Sequence, residues 1–103
     1  MKNYARIFKC IMANQERIED EALNVDPEFV NKMQELLTSL SWLEYVWFEE
    51  FLAEGKTLQD FADYIRDNSK EVAEHIMAMA FRKMRHPSRS KELRVFCVED
   101  DED

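Results

Sequence analysis

Between Asp26 and Gly55 the chain reads DPEFVNKMQELLTSLSWLEYVWFEEFLAEG. Asp26 can accept a bond from a free first-turn amide, Pro27 suits the first helical position, and Glu28 favours the positive end of the helix dipole. From there Phe29, Met33, Leu36, Leu37, Leu40, Leu43, Trp47 and Phe51 recur at steps of three and four, the spacing of one helical face, up to Gly55, a natural C-terminal cap. The pattern predicts one long central helix of about 28 residues at this spacing. Trp42, Val46 and Phe48 fall off that stripe, so the second half of this helix is apolar around most of its circumference and lies either at the centre of the fold or at an interface.

Outward from this stretch the same period continues. Tyr4, Ile7, Phe8, Ile11, Met12, Ile18 and Ala22 predict a helix over 3–23. On the other side, Thr57-Leu58-Gln59-Asp60 resembles a capping box and opens a segment carrying Phe61, Ile65, Val72, Ile76 and Met79. This segment is either one helix over 58–85 or two, with a break near 68, where Asp67-Asn68-Ser69 can cap a fresh start. His86-Pro87-Ser88-Arg89-Ser90 closes the helical region, because proline disfavours helical geometry at the residue before it. Leu93 to Val98 is β-branched and aromatic enough for one short strand, and Glu99 to Asp103 is an acidic tail expected to be disordered. The expected fold is therefore all-α. It has three to four helices in a single domain over 1–98, one of them long and central, followed by a short C-terminal strand or extended segment and the tail at 99–103.

Composition narrows the function. The 103 residues carry a formal net charge of −8 and 46% hydrophobic residues, with two Trp, three Tyr, seven Phe and six Met. That is generous for so small a chain and points to a self-associating surface, a homodimer, or to a partner-binding one. The negative charge disfavours direct contact with nucleic acid or anionic lipid and calls for a protein partner with a basic surface. No apolar run is long enough to span a membrane and no signal-peptide core follows Met1-Lys2-Asn3, so the expected location is cytoplasmic. Cys10 and Cys97 lack CxxC spacing and are expected as reduced thiols.

No nucleophile, phosphate-loop or metalloprotease motif occurs, and a single glycine is hard to reconcile with a phosphate cradle, so no enzyme, cofactor or metal is expected. His75 and His86 would stand about 16 Å apart on a continuous helix. Glu71 with His75 is half a metal site without its other half.

Charge and aromatic patterns supply the candidate sites. Asp60, Asp63, Asp67, Glu71 and Glu74 step by three and four, so on an unbroken helix they form a carboxylate row. Glu44, Glu49, Glu50 and Glu54 add a second patch. Such faces can imitate a phosphate backbone and occupy the DNA-binding surface of a DNA-processing enzyme. The alternative is an adaptor or chaperone-like module that recognises its partner through Trp42, Trp47, Phe48, Met77 and Phe81, since the four aromatics among Trp42, Tyr45, Trp47 and Phe48 cannot all point into one small core. Residues 82–94 hold six cations, Arg82, Lys83, Arg85, Arg89, Lys91 and Arg94, against Glu92, and are expected to pair within the chain or between subunits.

The region from Leu43 to Met79 resembles the lambda Gam-type phage inhibitors of the host RecBCD exonuclease. The likeness lies in an aromatic helix ending at Gly55, the helix start Lys56-Thr57-Leu58, Phe61 followed by an acid-containing turn, and the string Val72-Ala73-Glu74-His75-Ile76. It covers about a third of the chain and leaves out the Arg-rich segment and residues 93–98. The resemblance implies a phage-encoded helical homodimer that blocks a nuclease's DNA-binding site by resembling DNA.

Overall fold

A computed structural model describes residues 2–65 and 69–98; the acidic tail at 99–103, expected to be disordered, lies outside the described residues. The described chain is all-helical, without strands. Its elements are α1 (Tyr4–Ile11), α2 (Asp20–Asn24), α3 (Pro27–Thr38), α4 (Trp42–Val46) continued by a π-helical turn (Trp47–Leu52), α5 (Leu58–Tyr64), α6 (Lys70–Arg85), α7 (Pro87–Leu93) and a 3-10 turn (Arg94–Phe96). The expectation of three to four helices, one of them long and central, with a C-terminal strand, is overturned: the helices are shorter and more numerous.

Local chemistry explains each break. The helix expected over 3–23 stops at Ile11, where Met12 turns extended with ψ 137°, and Asn14 then takes the left-handed backbone with φ 59°, a conformation asparagine tolerates better than most residues. Asp26 and Pro27 start α3 as expected, with the Asp26 carboxylate accepting from the Glu28 amide at 3.0 Å. The long helix, however, ends at Thr38 and restarts at Trp42. Ser41-Trp42-Leu43-Glu44 has the capping-box pattern, and the Ser41 amide donates to the Glu44 carboxylate at 3.2 Å. Downstream, Ala53 and Lys56 donate to the carbonyls of Phe48 and Phe51, five residues back, at 2.9 and 2.8 Å. This wider winding lets Trp47, Phe48, Glu49 and Phe51 all be buried. Gly55 follows in the left-handed backbone, φ +76°, which an L side chain rarely adopts, with the Arg6 guanidinium close against it.

Of the two readings of 58–85, the break is the one adopted. Ile65 is extended, with ψ 153°, and the Ser69 hydroxyl caps α6 by accepting from the Val72 amide at 3.2 Å. His86-Pro87 ends α6 but does not end the helical region, because Pro87 takes the first position of α7, where its missing N–H costs nothing. Residues 93–98 form no strand. Leu93 and Phe96 stand three apart and both turn inward, Phe96 edge-on to Phe29 at 5.3 Å, while Val95 between them is 77% exposed. That is helical spacing, and no neighbouring strand among the described residues offers a ladder.

The buried residues form one cluster running from Tyr4 to Leu93. Its centre is aromatic: Phe8 meets Phe29 edge to face at 5.4 Å, Phe48 meets Phe81 at 5.2 Å, and Phe61 lies between Trp47 and Phe51. Around it α4 packs on α6, α3 on α7 and α1 on both α2 and α6, which leaves the α3–α4 corner on the outside.

Candidate protein-interaction surface

The acidic residues do not assemble into the rows that an unbroken helix would give. Asp60 and Asp63 lie on α5, Glu71 and Glu74 on α6, and Asp67 outside the described residues. Asp60 serves its own helix. It accepts from the Thr57 amide at 2.9 Å while its own amide donates to the Thr57 hydroxyl, and the bonds to Thr57 hold its carboxyl below the usual range. Asp63 accepts from Gln59 at 3.0 Å, and Glu71 and Glu74 are exposed.

Of the second patch, Glu44 and Glu49 are absorbed into the fold, while Glu50 and Glu54 stay at the surface. Glu49 is only 4% exposed; the Tyr4 hydroxyl donates to it at 2.8 Å, and the Lys2 amine stands 3.7 Å away. Lys2 also pairs with Glu50 at 3.2 Å and Glu54 at 3.6 Å, so one amine faces three carboxylates. Burial pulls the Lys2 pKa down, but the bond and charge of Glu50, then Glu49 and Glu54, outweigh it and raise it. Glu44 is buried and receives the Lys83 amine at 2.9 Å.

Half of the basic run's six cations pair inward. Besides Lys83, Arg85 donates to the Cys10 and Ile11 carbonyls at 2.8 and 3.4 Å, Arg89 to the Ser39 hydroxyl at 3.0 Å, and Glu92 pairs with Lys32 at 2.8 Å. Arg85 and Arg89 thereby satisfy carbonyls and hydroxyls at the ends of α1 and α3, where a cation also suits the helix dipole.

Of the apolar candidates, Trp47 and Phe48 are core. Met77 and Phe81 are half-buried, and the Arg85 guanidinium lies over the Phe81 ring at 5.0 Å. Trp42 is different. It is the first residue of α4, 66% exposed, and stacks on Tyr45 with centroids 5.7 Å apart and planes at 26°. Together with Thr38 and Leu40 the two rings line a shallow open hollow of 330 Å³. Tyr45 is among the four aromatics that cannot all point into one small core but not among the expected recognition residues, Leu40 reads as part of the apolar stripe, and Thr38 is not singled out by the sequence pattern. The signal lay in Ser41 and Glu44: starting the helix there turns Val46 and Trp47 inward, leaving Trp42 and Tyr45, three apart, on the flank. Beyond Tyr45 the same flank leads to Glu49 and Glu50. Burial first, then those two carboxylates, raises the Tyr45 phenol's pKa, with Lys2 opposing.

A larger groove of 840 Å³ lies between α3 and the 3-10 turn, lined by Asp26, Glu28, Asn31, Lys32, Glu35, Val95 and Phe96. Its one cation, Lys32, is already clamped between Glu35 and Glu92, so its converging polar groups are engaged with each other. Among the described residues no three His, Cys, Asp or Glu side chains converge as a metal site, and Glu71 and His75 point from an exposed face of α6. Neither Cys10 nor Cys97 is in a disulfide, and no described helix is long and apolar enough to cross a membrane.

No protein-family model, curated protein or solved structure matches the chain.

Proposed function

We propose that this protein is a small acidic helical binding module without catalytic machinery, which docks on a protein partner through the Trp42–Tyr45 shelf. The observation that carries this reading is the exposure of Trp42: a folded chain that buries Trp47 and four phenylalanines completely or nearly so leaves its other indole open and flat against a tyrosine. Exposed tryptophan beside tyrosine is the composition of binding hot spots, where a few rings supply most of the affinity. The net charge of −8 then acts at longer range, steering basic partners toward the surface.

Charge mimicry of DNA, as in the phage nuclease inhibitors, is the competing reading. It has Asp60, Asp63, Glu71 and Glu74 as exposed carboxylates on α5 and α6, Asp60 being engaged as a cap. Affinity capture of partners from cell extract separates the two, using the wild-type chain, Trp42→Ala, and a triple variant with Asp63→Asn, Glu71→Gln and Glu74→Gln. The shelf reading expects Trp42→Ala to weaken a reproducibly captured partner by about 2 kcal/mol, roughly thirtyfold, with thermal stability unchanged and the triple variant still binding. Loss of the partner in the triple variant and its retention by Trp42→Ala would transfer the function to the carboxylates.

A further inference from the structure

Two other rings in the chain already carry a cation: the Lys56 amine lies 5.7 Å from the Phe51 centroid, and the Arg85 guanidinium 5.0 Å from that of Phe81. Trp42 has the ring type that binds cations most strongly, and its open face meets no lysine or arginine among the described residues. Tyr45, the other ring of the shelf, lies in the field of Glu49 and Glu50, and Glu50 is 57% exposed while sharing the single Lys2 amine with Glu49 and Glu54. An open aromatic face beside unneutralised negative charge is complementary to a flat cation.

We infer that the Trp42–Tyr45 shelf receives an arginine side chain from a basic segment of the partner, the guanidinium lying flat on the Trp42 indole while a further cation of that segment meets Glu50. Arginine suits the shelf better than lysine because its guanidinium is planar, stacks on rings and sheds water more easily than an ammonium. A second copy of this chain is a poorer occupant, since it would bring the same acidic flank, from a chain of net charge −8, against itself. The inference rests on the docking surface proposed above and adds the chemistry of what docks.

The test is a titration of the ¹⁵N-labelled protein with three capped glycine–serine peptides that carry arginine, lysine or the neutral isostere citrulline at the same positions. The readout is the two indole N–H resonances, assigned with Trp42→Leu; the buried Trp47 serves as the unmoved reference. The arginine peptide is expected to shift the Trp42 signal saturably, to bind roughly tenfold more tightly than the citrulline peptide and more tightly than the lysine peptide, and to lose that binding in Trp42→Leu. Equal binding of the arginine and citrulline peptides, equal binding of the arginine and lysine peptides, undiminished binding by Trp42→Leu, or no shift at all would each overturn the inference. If the arginine peptide fails while Trp42-dependent capture from extract holds, the shelf docks its partner by another chemistry. If both fail, the docking reading falls with it.

Discussion

Glu49 is a carboxylate in the wall of the core, held by a hydroxyl and an amine that arrive from the other end of the chain. The Tyr4 hydroxyl donates to it at 2.8 Å, and burial, with Glu49's charge and hydrogen bond adding to it against an opposing bond from Gln34, pushes the phenol's pKa up to about 12 from 10.0. Tyr4→Phe keeps the ring and deletes the donor, leaving a buried carboxylate oxygen short of a partner. The expected cost is about 1–2 kcal/mol in urea unfolding at neutral pH. The same contact sets an alkaline limit. Unfolded chains lose the phenol proton near pH 10.0 while the folded chain keeps it to about 12, so this stabilisation is complete below pH 10 and is lost as pH rises through that window. Unfolding followed across this range should show a steeper fall in the wild type than in Tyr4→Phe, and parallel curves would contradict the assignment. None of this was legible around Glu49 itself. In sequence Glu49 sits with Glu50 and Glu54 in what reads as a solvated acidic face, and no local pattern announces that residues more than 40 positions away will claim it. Trp42, by contrast, was legible as a candidate because it fell off the apolar stripe, but so did Phe48, which is core: the π-helical turn that buries Phe48 along with the stripe residue Trp47 has no sequence period of its own.

The packing of α4 on α6 includes one ion pair, between buried Glu44 and partly exposed Lys83. Burial of Glu44 works against its charge, yet the bonds from Lys83 and from Ser41 more than offset it and hold the carboxyl below its ordinary value of 4.5. A depressed carboxyl contributes stability that is present above the unfolded value and disappears as pH falls through the folded one. Glu44→Gln should therefore lower stability at neutral pH by about 1–2 kcal/mol, for Lys83 loses its charge partner but keeps access to water, and should make the stability less sensitive to acid below pH 4.5. Acid titration by far-UV circular dichroism decides this, and an unchanged acid midpoint would remove Glu44 from the α4–α6 join. The same glutamate explains why the long helix misled. The steps from Phe29 to Phe51 satisfy a single helical stripe, but they are equally satisfied by two shorter helices whose stripes face one core from either side of a corner. Periodicity cannot tell these apart. The serines at 39, 41 and 69 could: Ser41 with Glu44, and Ser69 before Val72, offer hydrogen bonds that compete with a continuous helix. The strand expected at 93–98 fails for the opposite reason: the β-branched composition suits a strand, but the three-residue spacing of Leu93 and Phe96 places both on one side of a helical turn.

At the scale of the molecule, the aromatic excess that suggests self-association in the sequence is largely taken up by one chain. Phe8, Phe29, Phe48 and Phe61 are completely buried, and rings from α1, α3, the π-helical turn, α5, α6 and the 3-10 turn touch one another across elements that are short and individually marginal. Helices of five to eight residues such as α1, α2, α4, α5 and α7 have almost no stability alone, so they hold only while the shared core holds. It follows that no element should melt ahead of the others. Thermal unfolding followed by ellipticity, which reports all the helices, should coincide with unfolding followed by fluorescence, where the burial of Trp47 reports the core. Because the core closes within one chain, the midpoint should also stay fixed over a roughly hundredfold range of protein concentration. Separate midpoints by the two probes would mean that part of the bundle is an independent unit. A midpoint that climbs with concentration would mean that a second copy completes the core, and the exposed Trp42 shelf would then be the first place to look for its contact.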